Sequence, residues 1–205
     1  MNCVIIAGGR GTRLGSLTNN IPKPAIEVGG KPIIRHLIDN LKAVGFDDII
    51  VNMRYLYEEL QKAIGDDETI RYYYQPSDDY GTASILTDLD KKKWLEEEFM
   101  VVNGDTLTNV DYKDLIETHL SNTLLATVFT MDTAVHSAGT YVFDREVLKY
   151  IGKKMDIPQL IEKLSDDWGL VGTYMEIPGL SRIFYLDCGT PEGLEKARRR
   201  YETPA

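Results

Sequence analysis

Three short runs of this chain are apolar at successive positions rather than at alternate ones: NCVIIAG at 2–8, DIIVN at 48–52 and FMVVNGD at 99–105. A strand that is apolar on both faces must be covered on both, which is the pattern of a buried parallel strand. Segments of helical period fall between these runs. Over 32–45, Ile33, Ile34, Leu37, Ile38, Leu41 and Val44 share one face, Pro32 suits the first turn and Gly45 the end. Helices are also predicted over 55–64 and 82–89, and a third strand, TIRYYYQ, over 69–75. Asp111 reads as the N-cap of a helix through His119. The second half adds strands at 124–130, 138–144, 174–177 and 183–189, and short helices at 145–151 and 158–164. Thr190 caps a last helix that has Pro191 in its first turn and Arg198, Arg199 and Arg200 at a solvated end. Strands alternating with helices imply an α/β fold, a three-layer sandwich around a mostly parallel (mixed) sheet, formed as a single domain over 1–205.

In such sheets ligands sit at the carboxyl ends of the strands. The glycine turn after the first strand, Gln75 after the third and Asp105 after the fourth all fall on that rim. The turn is unusual for its surroundings. The chain carries a formal net charge of −9, yet AGGRGTRLGSLTNNIPK (7–23) gathers Arg10, Arg13 and Lys23. A Walker A loop needs Lys-Ser/Thr after its second spaced glycine, and none stands here. The dinucleotide fingerprint needs a third glycine where Leu14 stands and an acidic residue where the second strand ends in Asn52. What remains is a glycine turn whose amides can approach an anion, with three cations beside it. A tight turn alone would not explain the cations. Triphosphates call for this much positive charge, and they usually arrive with Mg²⁺, which takes hard oxygen ligands. Asp105 and Asp187 each end a buried strand near a glycine and could supply them; a lone aspartate there is more often a turn former, so both readings stand.

The acidic balance argues against a general nucleic-acid binder. No run reaches the roughly eighteen apolar residues of a membrane span. The chain opens directly in a strand-like run with no basic leader, so no signal peptide is expected. The two cysteines, Cys3 and Cys188, show neither a CxxC pair nor a metal spacing, which suits reduced thiols and a cytoplasmic location. Monomer and homodimer are both left open.

At this point the residues resemble a known family. AGGRGTRLGSLTNNIPKP (7–24) is similar to the signature of the sugar-phosphate nucleotidyltransferases, roughly AGGxGTRLxPLT…PKP. The likeness continues through EVGGKPIIRHLIDNLKAVGFDDIIV (27–51), YGTASIL (80–86), VVNGD (101–105), AGTYVFD (138–144) and LDCGTPEGLEKA (186–197). Within the family the chain most resembles the short mannose- or heptose-1-phosphate guanylyltransferase type. The resemblance implies a Rossmann-type fold like that of nucleotide-diphospho-sugar transferases. It implies an enzyme that condenses an NTP with a sugar 1-phosphate into an NDP-sugar and pyrophosphate, with GTP and mannose or heptose 1-phosphate slightly favoured. It also implies roles. Ala7, Gly8, Gly9, Gly11, Thr12 and Gly104 would hold the nucleotide, and Gln75, Gly81 and Thr82 would contact its base. Arg13 would grip the leaving phosphates, and Lys23 would bridge the acceptor phosphate and the α-phosphate. Asp105 and Asp187 would hold Mg²⁺, with Arg13, Lys23 and Asp105 the catalytic set. A sugar 1-phosphate is largely dianionic at pH 7, its second pKa being about 6, so its oxygen needs no general base.

The acceptor half departs from the pattern. Between ATVFTMD and SAGTYVFD the family usually carries a longer insertion with a Glu-Lys-Pro motif; here only TAVH intervenes. Ser137 stands where the family has Asn, and the loop proline near Gly15 and Ser16 is missing. Gly139, Thr140 and His136 are the candidate acceptor contacts, with Lys153 a further one. Three outcomes remain open: a sugar phosphate held by other groups, a small non-sugar phosphate or phosphonate, or nucleotide binding without turnover. Asn103, two residues before Asp105, reads as a buried strand residue. No C-terminal acyltransferase domain is expected within 1–205.

Overall fold

A computed structural model describes residues 1–77, 80–131, 137–166, 170–175 and 183–202. In chain order the elements are β1 (Asn2–Ile6), β2 (Glu27–Val28), β3 (Lys31–Pro32), α1 (Ile33–Ala43), β4 (Ile49–Met53), α2 (Tyr57–Ile64), β5 (Ile70–Tyr74), α3 (Ser84–Lys91), β6 (Glu98–Asn103), β7 (Thr106–Thr108), α4 (Tyr112–Leu120), β8 (Ala126–Thr130), β9 (Ser137–Asp144), α5 (Ile157–Asp166), β10 (Val171–Met175), β11 (Tyr185–Asp187) and α6 (Pro191–Glu202). Turns of 3₁₀ helix occupy Thr12–Thr18, Lys23–Ala25 and Arg145–Tyr150. The last of these is the segment predicted as a helix over 145–151.

Seven strands form one sheet in the order β10-β8-β9-β6-β1-β4-β5. The β10–β8, β6–β1, β1–β4 and β4–β5 pairs are parallel, while β9 runs antiparallel to both its neighbours. The sheet is therefore mixed. Successive side chains of β1 point to opposite faces. Cys3 and Ile5 enter one core with Leu37, Ile38 and Leu41 of α1, Leu60 of α2 and Leu115 of α4. Val4 enters the other with Leu86 and Leu89 of α3 and Leu160 and Leu164 of α5. Each fully buried Leu or Ile contributes about 2 kcal/mol, which explains why the continuous apolar runs occupy the central strands.

A third, smaller cluster decides where the site forms. Leu14, Ile26, Val28, Ile33, Leu107, Cys188, Leu194 and Ala197 pack together. They pin α6 and an antiparallel ribbon, β7–β11, against the segment that follows the glycine turn. The strand predicted over 183–189 is thus present as Tyr185–Asp187, but it pairs with β7 and not with the main sheet. The strand predicted over 174–177 is described only to Met175, at the end of β10. Caps fall where the sequence put them. The Asp111 carboxylate accepts from the amides of Lys113 and Asp114, and the Thr190 hydroxyl accepts from the amide of Gly193 at 3.1 Å. The arginine run is exposed at Arg199 and Arg200, and the Arg200 guanidinium also lies 3.8 Å from the Phe184 ring centroid.

His119 is 3% exposed, with Nδ1 3.0 Å from Thr127 Oγ1. Burial depresses its pKa below the ordinary histidine value, and the Asp144 charge opposes this only in part. The folded protein thus holds His119 neutral, whereas the unfolded chain takes up a proton near pH 6.5. This contribution to stability is complete above that pH and is lost as pH falls toward the folded pKa. In urea unfolding, stability is expected to fall more steeply from pH 6.5 to pH 5 in the native chain than in a His119→Gln variant. Equal slopes would remove His119 from the acid sensitivity of the fold.

Candidate active site

β1 ends at Ile6, and the chain turns sharply over its neighbours. The Ala7 amide donates to the Asn52 carbonyl at 3.2 Å. A Cβ on Gly8 would sit 2.9 Å from Asn52 Nδ2 and 3.2 Å from Gln75 Oε1, so a larger residue there would displace these two side chains. Gln75 is itself oriented at both ends: Asn52 Nδ2 donates to Oε1 at 3.3 Å, and Nε2 donates to the Ser77 carbonyl at 2.7 Å. Gly11 has φ of +66°, the left-handed region, and its Cβ position would lie 3.2 Å from Lys23 Cβ. That turn brings Lys23 back beneath the loop.

On the other side β6 ends at Asn103. The Gly104 amide donates to the Ile6 carbonyl at 2.9 Å, and a Cβ there would meet Ala7 Cβ at 3.0 Å. This contact turns the chain out of the sheet and presents Asp105. The ribbon then delivers the second carboxylate: Asp187 pairs with Thr106, and the Cys188 amide donates to the Asp105 carbonyl at 3.0 Å. Lys23 Nζ donates to Asp105 Oδ2 with both side chains about one-seventh exposed (14% and 15%). Arg13 Nη1 donates to Asp187 Oδ2 at 3.4 Å, nearer the surface.

Three of these side chains, Asp105, Asp187 and Arg13, surround Gly189, and Lys23 is joined to them through Asp105. A Cβ at that position would lie 2.7 Å from Asp105 Oδ2, 2.7 Å from Asp187 Oδ1 and 2.9 Å from Arg13 Nη2. The two carboxylates therefore face one small space. Burial, and then the charges of Asp105 and Asp187, push the neighbouring Cys188 thiol up to about 12, so it stays protonated. The donors are hard oxygens and the soft ligand is withheld, which suits a hard divalent cation. Among the described residues no group of three His, Cys, Asp or Glu side chains could hold a metal, so water or substrate oxygens would complete the shell.

A cavity of about 200 Å³ opens beside this centre, lined by Ile6, Ala7, Gly9, Lys23, Pro24, Thr82, Asn103 and Asp105. It gathers residues from the loop, from the 80–86 motif and from the end of β6. Asn103 is half-buried and lines it, which corrects the reading of a buried strand residue: β6 stops there, and Gly139 lies opposite. Gly139 has φ of +70°, and a Cβ would come 2.5 Å from Asn103 Nδ2. Thr140 is 1% exposed and pairs with Val102 in the ladder, so its side chain is not brought to the cavity. Thr12 lines a separate cavity with Arg10, Thr18 and Tyr55. Lys153 faces a third, of about 460 Å³, with Ser77, Tyr80 and Lys91, and is likewise not brought to Asp105. His136 lies outside the described residues. Sequence reasoning did not single out Gly189; the glycine two residues beyond Asp187 was the available signal.

A family profile described as "Nucleotidyl transferase" matches residues 2–163. Over 122 residues the chain is 34% identical to N-acetylmuramate alpha-1-phosphate uridylyltransferase of Neisseria meningitidis, covering 58% of this chain and 52% of that protein. The chain spans about half the length, or less, of the first curated relatives it matches. It is 25% identical to D-glycero-alpha-D-manno-heptose 1-phosphate guanylyltransferase of Aneurinibacillus thermoaerophilus, covering 98% of this chain and 99% of that protein. That alignment runs over 243 positions against a chain of 205 residues, so the relative carries stretches this chain lacks. Among solved structures, HddC from Yersinia pseudotuberculosis complexed with GMP-PN superposes with a TM-score of 0.78 at 23% identity, covering 98% of this chain and 99% of that one, and shares the fold.

Proposed function

We propose, on the premise that the chain belongs to the nucleotidyl transferase family, that it condenses a nucleoside triphosphate with a sugar 1-phosphate to give an NDP-sugar and pyrophosphate. The observation that carries this reading is the convergence of Arg13, Asp105 and Asp187 around Gly189, with Lys23 paired to Asp105, beside a glycine turn whose amides can meet phosphate.

The acceptor's phosphate oxygen attacks the α-phosphorus, the bond from that phosphorus to the bridging oxygen breaks, and pyrophosphate leaves with the electron pair. No proton need move, because the acceptor is already largely dianionic at pH 7. The burden on the protein is to bring two polyanions together and to absorb the charge that develops. Lys23, in the cavity wall, serves the acceptor phosphate and the α-phosphate; Arg13, nearer the surface, serves the leaving group. The backbone at Gly8, Gly9, Gly11 and Gly104 lets the nucleotide approach, and Gln75, Gly81 and Thr82 face its base. Asp105 and Asp187 would hold Mg²⁺, which when bound supplies Lewis-acid stabilisation of phosphate charge. GTP is the first nucleotide to test, since a relative aligned over nearly the whole chain is named a heptose 1-phosphate guanylyltransferase. Both cysteines are buried free thiols, which supports a reducing, cytoplasmic setting.

The short link between β8 and β9 favours a second reading of the acceptor as a smaller phosphate or phosphonate. One experiment addresses both. The four NTPs are each incubated with Mg²⁺ and a panel of sugar 1-phosphates, phosphocholine and a small phosphonate, and pyrophosphate is measured. Release with a sugar 1-phosphate is the expected result. Release with only the small acceptors replaces the substrate class. Nucleotide binding without release from any pair leaves a non-catalytic binding protein and ends the enzymatic reading.

A further inference from the structure

We infer that Asp156 is a positioning residue that holds Thr82, and with it the 81–84 turn, against the nucleotide cavity. The inference rests on the proposed nucleotide site and deepens it.

Asp156 stands just before α5, where an aspartate ordinarily accepts from amides of its own helix. Its carboxylate is directed elsewhere. Oδ1 accepts from the Thr82 amide at 2.8 Å and from the Thr82 hydroxyl at 3.2 Å, across 74 residues of sequence. Thr82 reciprocates: its Oγ1 accepts from the amide of Ile157, the first residue of α5, at 2.9 Å. The helix start and the site turn thus cap each other, each satisfying a backbone donor that would otherwise lack a partner. The hydrogen bonds to the carboxylate are charge-assisted, and because Asp156 is exposed solvent moderates their strength.

The rest of the junction runs through the main chain of the 152–157 segment. The amides of Ala83 and Ser84 donate to the Met155 carbonyl at 3.0 and 3.2 Å. Ser84 Oγ donates to the Gly152 carbonyl and accepts from the Met155 amide. A Cβ on Gly81 would lie 2.1 Å from the Met155 carbonyl oxygen, so the two backbones are in close contact. Asp156 adds side-chain hydrogen bonds from this segment to the turn. The turn also divides two cavities. Thr82 lines the one shared with Lys23 and Asp105, and Ser84 lines the larger one behind it. Loosening Asp156 would let Thr82 rotate away from the nucleotide while Lys23, Arg13 and both metal-facing carboxylates stay in place. Its loss should therefore appear in nucleotide affinity and leave the chemical step nearly intact.

The test compares Asp156→Ala, Asp156→Asn and Gln159→Ala. An asparagine oxygen can still accept from the Thr82 amide. Gln159 accepts from the Asp156 amide at 2.8 Å, so Gln159→Ala disturbs the same helix start without touching Thr82. Binding of ATP, CTP, GTP and UTP with Mg²⁺ is measured directly, together with hydrogen exchange at the Thr82 amide and steady-state kinetics. Asp156→Ala should weaken the best nucleotide about 10-fold, raise its KM alike, change kcat less than about 3-fold and speed exchange at Thr82. Asp156→Asn and Gln159→Ala should both stay within about 3-fold of the native affinity. Native affinity in Asp156→Ala, or equal losses in all three variants, overturns the inference while the nucleotide reading stands. A native protein that binds none of the four nucleotides overturns that reading and this inference with it.

Discussion

Lys23→Ala is expected to slow pyrophosphate release on the order of 100-fold, about 3 kcal/mol, with the larger part in kcat. The ammonium sits in the wall of the cavity to which the proposed function assigns both phosphates, and water cannot replace a fixed charge there without reorganising. The same substitution leaves Asp105 without its close cation. Breaking a fully buried ion pair costs about 3–5 kcal/mol, but solvent reaches this pair, so the fold should lose less than that. A thermal melt run beside the kinetics separates the two effects. Lys23→Arg keeps the charge but spreads it over a planar fork, and it should recover stability more fully than turnover. If Lys23→Ala turns over at the native rate, Lys23 has no part in the chemistry.

Gly189→Ala should be comparably severe for activity and far milder for the fold. The new methyl would sit in the space faced by Asp105 Oδ2, Asp187 Oδ1 and Arg13 Nη2, all of them ends of side chains that can swing aside. The backbone there needs no glycine conformation, so strain is small. Filling this space should block a cation between the carboxylates: turnover is expected to fall by roughly 100-fold, and the stabilisation that Mg²⁺ with NTP confers in a thermal melt should disappear. Gly193→Ala is the contrasting control. Its Cβ would lie 1.9 Å from the Asp187 carbonyl oxygen, a backbone atom, and it should destabilise the protein outright. A Gly189→Ala protein that keeps its Mg²⁺-dependent shift would place the cation elsewhere.

The parts of the molecule legible in the sequence are those where one local signal sufficed. β1, β4 and β6 were visible because burial on both faces leaves continuous apolar runs, and α1 because its apolar face repeats at the helical period. The glycine turn announced itself through cations set in an acidic chain. Pairings across long sequence distances were hidden. Nothing about Thr106–Thr108 marks a strand, since three residues cannot establish an alternation, so the partner of β11 could not be read. Asn103 looked buried because the run before it is, yet the strand ends at that residue. The 145–151 segment carries helical spacing but closes as 3₁₀ turns. Asp156 had no signal at all: its partner lies 74 residues earlier, and an aspartate before a helix already has an ordinary explanation.

Because Asp187 reaches the site on a ribbon whose other strand was made some eighty residues before it, the two carboxylates become neighbours only late in synthesis. A ribosome-bound chain that ends before Tyr185 lacks the second carboxylate of the site. On the proposed function, competence for transfer should therefore switch on only after β11 and α6 have emerged.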